Sequence, residues 1–220
     1  GPLVFQSNRR GLYRLTLSAL RRNNKIYACR CSRKEISRFF DPNRKCIIYP
    51  GTCRQLGLSW SWYEKRLPSL RLKVHKEFLD KCGDIILRRS DGVMAYHLAT
   101  VVDDLTMGIS EVIRGKDLNI ALPSQMALIK ALDQVPMEFK HVEILLDGQG
   151  QKISKRRGGI GVNYLQEQGI ASSELIGFFA SSLGLLPLGS KLSATELLQE
   201  LSNRENPLSK VFRNHQENCS

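Results

Sequence analysis

Leu12, Leu15, Leu17 and Leu20 recur at roughly helical spacing with arginines between them, and predict an amphipathic helix from about Gln6 to Asn24. Asn23-Asn24 closes it. From Ile26 to about Pro68 the period fails: Pro42, Pro50-Gly51, four cysteines and the aromatics Trp60, Trp62 and Tyr63 read as a small loop-rich insertion. Asp84-Ile85-Ile86-Leu87 then predicts a short buried strand, Tyr96 to Val102 a helix, and Ile109 to Ile113 a β-branched strand. Leu122 to Leu132 repeats apolar residues at helical spacing after Pro123, and Val142 to Leu145 predicts a further buried strand running into an Asp147-Gly148 turn. Strand, helix and strand in this order predict half of a parallel α/β sheet. Beyond Gly158-Gly159 and Gly161, helices are expected near Tyr164, from about Ser173 to Leu183, and from Ser193, where Ser193 and Glu196 fit a capping box. The polar tail is expected to fray.

Composition narrows the class. The chain has 220 residues, enough for one substantial domain or one plus an appendage. No apolar run is long enough to span a bilayer and no secretory signal pattern opens the chain, so a cytoplasmic protein without a membrane partner is expected. The first residue is Gly1 rather than Met, so a fragment or a processed product is expected. Lys and Arg number 33 against 21 Asp and Glu, a net charge of +12 that suggests a polyanionic partner. The pairs Arg9-Arg10, Arg21-Arg22, Arg44-Lys45, Arg88-Arg89 and Arg156-Arg157 are scattered among structured segments, as on a folded RNA-binding face.

Four of the six cysteines, Cys29, Cys31, Cys46 and Cys53, crowd into the insertion. A disulfide scaffold would spread them along a small secreted fold, so clustering argues for a metal. Zinc takes about four soft or borderline ligands in a tetrahedron. Cys29 and Cys31 form a tight pair, and Cys53 arrives after a loop with either Tyr49 or Cys46 as the fourth group. An all-cysteine site is the simpler chemistry, because a phenol ligates at neutral pH only where the metal lowers its pKa. Trp60, Trp62 and Tyr63 could stack on a base, but alternating aromatics more often pack a small core, and packing is the expectation.

A cationic loop, Lys152-Ile153-Ser154-Lys155-Arg156, follows the last predicted strand. Such a loop can close over a triphosphate and neutralise charge that develops as pyrophosphate leaves. Upstream stand Arg88-Arg89-Ser90-Asp91-Gly92, Ala95-Tyr96, Val101-Val102-Asp103-Asp104, Met107-Gly108-Ile109 and Val112-Ile113-Arg114-Gly115-Lys116-Asp117-Leu118. In order and spacing these motifs resemble the second half of the catalytic domain of the glutamyl-tRNA synthetase family. Gln6-Ser7-x-Arg9, Tyr13 and Tyr27 resemble the segment that leads into that family's zinc insertion.

The resemblance implies an α/β fold: the C-terminal half of a class I synthetase Rossmann-type catalytic domain, with a small zinc-binding insertion and a short helical C-terminal region. The implied divisions are 1–25, a helix leading from the first catalytic half; 26–83, the zinc-binding and acceptor-contacting insertion; 84–160, the second catalytic half; and 161–220, the helical region with its tail. It also implies that Tyr96 and Arg114 bind glutamate, by an oriented phenol and a bidentate guanidinium. Lys155 binds ATP, with Lys152 as a supporting cation and magnesium alongside. No catalytic acid or base is implied: Asp103 and Asp104 orient neighbouring loops and His97 has no role. The cysteine arrangement is similar to the truncated, tRNA(Asp)-directed branch of the family, whose ligand pattern implies zinc on Cys29, Cys31, Tyr49 and Cys53. The implied work is ATP-dependent activation of glutamate and its transfer to queuosine in tRNA(Asp), by a monomer; charging of tRNA(Glu) and a non-catalytic zinc and RNA-binding remnant are the alternatives. A His-Ile-Gly-His-like motif is not found in this chain, so it is expected to carry half an active site and to form no glutamyl-adenylate alone.

Overall fold

The computed structural model describes residues 3–144, 146, 149, 152 and 161–204, and the backbone of 213–214. The chain divides into two compact units, Gly1–Glu111 with Leu118–Glu138, and Val112–Asp117 with Phe139–Ser220.

In the first unit a 3-10 turn, Gln6–Arg9, leads into α1 (Arg10–Arg22), which buries Tyr13, Leu17 and Leu20 along one stripe while Leu15 faces out. The helix ends as expected at Asn23-Asn24, where Asn24 turns left-handed at φ 52°. β1 (Ile26–Cys29) is buried throughout and pairs antiparallel with β4 (Ser69–Leu72), which pairs antiparallel with β5 (Ile86–Arg88). Between β1 and β4 lie α2 (Arg33–Ser37), capped by a Ser32/Glu35 box, and a short hairpin of β2 (Phe40–Asp41) and β3 (Cys46–Ile47). α3 (Lys76–Cys82) stops at Gly83, φ 61°. A Cβ on Gly83 would lie 2.4 Å from the Tyr49 nitrogen and 2.5 Å from its carbonyl oxygen. Only glycine lets the chain pass Tyr49 this closely, and the Asp84 N–H donates to the Tyr49 carbonyl at 2.9 Å. α4 (Tyr96–Thr106) and α5 (Leu122–Ala131) pack on each other, and Leu72, Leu87, Leu98, Val101, Leu128 and Ile129 are almost wholly buried.

The second unit holds most of β6 (Glu111–Gly115) and β7 (Glu138–Val142), with β8 (Arg213–Asn214) antiparallel to β7. α6 (Val162–Glu167), α7 (Ser172–Ser182) and α8 (Ala194–Ser202) follow, close to their predicted positions. The Ser193/Glu196 box is formed, its two bonds measuring 3.2 and 2.7 Å.

Two expectations need correction. The strand expected at Val142–Leu145 is found over Glu138–Val142, where Phe139 and His141 alternate with Glu138 and Lys140, a period-2 pattern that the apolar residues after Val142 obscure; Leu145 lies outside the described residues. The Asp147-Gly148 turn lies outside the described residues. Of the strands expected to share one sheet, β6 and β7, either side of α5, are neighbours, but β5, before α4, joins β1 and β4 instead. An apolar run says that a strand is buried but not which strand it meets. No helix among the described residues is long and apolar enough to cross a membrane.

Candidate metal centre and substrate-binding residues

β1 ends on Cys29, the chain turns through Cys31 to reach α2, and Tyr49 and Cys53 follow the β2–β3 hairpin. The sulfurs of Cys29, Cys31 and Cys53 lie within 4.8 Å of one another. The Tyr49 hydroxyl stands 3.5 Å from the Cys29 sulfur and 3.2 Å from that of Cys31, and accepts the Cys53 N–H at 3.1 Å. Cys46 lies outside this group, on β3, beside a cavity that Cys82 also lines. The Tyr49 ring is held edge-on by Phe39 at 5.7 Å and face-on by the Arg71 guanidinium at 3.9 Å. All five described cysteines are free thiols.

Burial pushes the Cys31 thiol up to about 12, and burial with hydrogen bonds to the three cysteines raises the Tyr49 phenol far above its usual range. Burial opposes the Cys53 thiolate too, but hydrogen bonds from Tyr49, the Arg30 backbone and Cys31 outweigh it and bring the thiol below its ordinary value. Three sulfurs and one phenol oxygen converging in a buried space fit a tetrahedral zinc site, since a dication stabilises the deprotonated donors that burial disfavours.

A second buried constellation braces this one. The Asp84 carboxylate is fully buried and accepts from Arg54, from the Tyr27 hydroxyl at 2.8 Å and from the Val74 N–H at 2.9 Å. Arg71, which stacks on Tyr49, donates to the Asp84 carbonyl at 2.7 Å. Asp84 thereby ties β1, β4 and the segment after Cys53 to one point. Nothing in an apparently apolar strand signals this; an arginine between Leu70 and Leu72 was the available hint.

Tyr96 opens α4, half exposed, with its ring edge-on to His97 at 5.6 Å. Both border a cavity of about 520 Å³ that Arg71 and Arg89 also line. Arg114 belongs to the second unit, where its Nε–H donates to His141 Nε2 at 3.1 Å and its guanidinium lies 5.0 Å from the Phe139 ring centre. Lys152 forms an ion pair with Asp117, whose carboxyl is held below its ordinary value chiefly by that contact. Lys116 pairs with Glu143 at 2.6 Å. Ile153, Ser154, Lys155 and Arg156 lie outside the described residues.

Asp103, buried on α4, accepts from Arg9 at 2.6 Å, from Gln6 at 2.9 Å and from Tyr13 at 2.8 Å. It anchors the N-terminal helix, which explains why Gln6, Arg9 and Tyr13 accompany it. The expectation that the aromatics pack a core fails for Trp62 and Tyr63, which are 68% and 45% exposed. Packing is a statistical habit of such residues, and this insertion is too thin to cover them.

The family described as "tRNA synthetases class I (E and Q), catalytic domain" matches residues 70–212. A "Glutamyl-Q tRNA(Asp) synthetase" of Prochlorococcus marinus (strain MIT 9303) is 52% identical over 97% of the chain and 70% of its own length. One of the same name from Nitratidesulfovibrio vulgaris is 36% identical over 85% of the chain and 64% of its own length. A glutamate tRNA ligase structure from Elizabethkingia meningosepticum superposes with a TM-score of 0.68 at 22% identity, covering all of the chain and 53% of that protein, a likeness of fold.

Proposed function

The chain belongs to the class I tRNA synthetase (E and Q) catalytic-domain family, a family of ligases, and from that premise we propose that it serves ATP-dependent activation of glutamate and its transfer to queuosine in tRNA(Asp). The observation that carries the reading is the 52% identity, over 97% of the chain, to a relative named for that reaction. The convergence of Cys29, Cys31, Tyr49 and Cys53 is consistent with it. In this reading the Arg114 guanidinium and the Tyr96 hydroxyl bind glutamate. Lys152 and Lys155 neutralise the ATP phosphates, with magnesium alongside, as pyrophosphate departs. Arg114 suits a carboxylate because His141 takes its Nε–H and Phe139 supports its plane, which leaves little freedom to lose on binding. Cys29, Cys31, Tyr49 and Cys53 would hold zinc, which supplies a structural cross-link when bound.

The test is made in cells. Deleting the gene should abolish the glutamyl-queuosine nucleoside in digested tRNA, read by mass spectrometry. The wild-type gene should restore it and an Arg114→Ala variant should not. Undiminished glutamyl-queuosine after deletion would sink the reading; loss of glutamyl-tRNA(Glu) instead would favour charging of tRNA(Glu).

A further inference from the structure

Trp60, Trp62 and Tyr63 have no part in the site described above. Tyr63 and Arg66 exchange backbone hydrogen bonds of 2.9 and 3.0 Å across Glu64 and Lys65, whose φ angles are 45° and 62°. That tight two-residue turn fixes the backbone beside Trp62 and Tyr63 and presents both rings to solvent. Large exposed aromatics on a constrained turn contribute little to the unit's own core.

Arginines accompany these rings. The Arg21 guanidinium lies 4.2 Å from the Trp60 ring centre, and that of Arg30 lies 4.2 Å from the Tyr63 ring centre. Trp60 and Arg21 together border two cavities: one of about 560 Å³ with Ser59 and Lys73, the other of about 430 Å³ with Arg14 and Arg88. Neither is lined by an aspartate or glutamate. Arg9, Arg54 and Arg89 are ion-paired with Asp103, Asp84 and Asp91. Arg14, Arg21, Arg30 and Arg88 have no carboxylate partner among the described residues; Arg88 donates to the Pro68 carbonyl at 2.9 Å and Arg30 to the Ser59 carbonyl at 3.5 Å, while the buried Nε atoms of both meet no acceptor there.

Stacked aromatic faces beside uncompensated guanidinia suit unpaired bases on a phosphate chain: rings take base faces and arginines take phosphates. A duplex hides its base faces, and an acidic peptide would leave the rings unused.

We propose that Trp60 with Arg21, and Trp62 and Tyr63 with Arg30, form a base-stacking surface for single-stranded RNA. The inference rests on the reading that the chain handles tRNA and deepens it by naming where unpaired nucleotides lie.

Trp60 and Trp62 are the chain's only two tryptophans, so its intrinsic tryptophan fluorescence reports on this surface alone. The chain is titrated with oligoadenylate of about ten nucleotides, with a fully paired RNA duplex and with inorganic polyphosphate. Oligoadenylate should quench saturably and bind more weakly as salt rises. Trp62→Ala and Arg21→Gln should each weaken it about tenfold, while Trp62→Phe keeps most of the affinity. Circular dichroism checks the variants' fold. Equal binding of polyphosphate with no effect of Trp62→Ala would reduce the surface to a basic patch, and either that result or no oligoadenylate binding overturns the proposal. If quenching fails while the gene still supports glutamyl-queuosine, this inference alone falls. If quenching holds and glutamyl-queuosine is unaffected by deletion, only the functional reading falls.

Discussion

Replacing Tyr49 by phenylalanine removes one oxygen and leaves the ring. The edge contact with Phe39 and the stacked Arg71 are kept, so packing is a near-constant. What is lost is the acceptor for the buried Cys53 N–H at 3.1 Å and the oxygen beside the Cys29 and Cys31 sulfurs. An orphaned buried N–H costs about 1–3 kcal/mol, so the zinc-free protein should lose that much stability. For a chain of this size, each kcal/mol is a fall of about 2–4 °C in Tm. Zinc should suffer more. Removing even an outer-shell partner costs about 10–100-fold in metal affinity, and the loss of one of four ligands should reach at least the upper end. Chelator competition on the purified protein measures it, with thermal melts in excess chelator isolating the metal-free part. Cys46→Ser is the paired control and should leave zinc affinity unchanged, because Cys46 stands outside the sulfur cluster. Zinc retained at full affinity by Tyr49→Phe and lost from Cys46→Ser would refute the ligand assignment.

Two further perturbations probe the frame. Asp84→Asn keeps the shape of a side chain that is fully buried but removes the charge facing Arg54, whose side chain is 24% exposed. Breaking one side of a buried pair costs about 3–5 kcal/mol, and partial hydration of Arg54 should bring the loss towards about 2–3 kcal/mol; a urea-unfolding difference below about 1 kcal/mol would contradict the network. Burial, with the adjoining Asp103 carboxylate, raises the Tyr13 phenol from 10.0 to about 12 in the folded chain. Folding therefore favours the protonated phenol, so its contribution is intact below about pH 10 and lost as pH rises through about 12. Wild-type stability should fall more steeply than that of Tyr13→Phe across this window, and parallel curves in alkaline melts would exclude the effect.

The parts legible in the sequence are those that depend on near neighbours. α1, α4 and α5 follow from leucine and valine spacing, and α8 from the Ser193/Glu196 box, because helix ends and faces are set within a turn or two. Strand partners are set by residues far along the chain, so β5 and β6 could be expected while their assignment to separate sheets could not. The metal group shows the same division. Cysteine crowding points to a metal, but Tyr49 and Cys46 sit on one short stretch, and only the fold shows the Tyr49 hydroxyl among the sulfurs and Cys46 beside Cys82. Gly83 illustrates why: lacking a Cβ, it lets a segment more than thirty residues along the chain pass against the Tyr49 backbone, a contact that residue spacing near Tyr49 does not reveal.

Net charge changes meaning once the arginines are traced one by one. An excess of 33 basic over 21 acidic residues suggests a polyanion-binding surface but cannot locate it. Arg9 and Arg54 reach buried carboxylates, Arg9 holding the N-terminal turn to α4 and Arg54 holding the segment after Cys53 to the turn before β5; neither is available to a phosphate without breaking the fold. Arg71 is buried against Tyr49 and donates to the Asp84 backbone. Among the guanidinia without a carboxylate partner in the described residues, Arg14, Arg21 and Arg88 border the Trp60 cavities and Arg30 lies over Tyr63. Mutating the exposed Arg14 or Arg21 should lower RNA affinity and its salt dependence together while leaving the melting temperature nearly unchanged, whereas mutating Arg9 or Arg54 should do the reverse. The separation of those two responses, more than the size of the charge, distinguishes a binding surface from a merely basic protein.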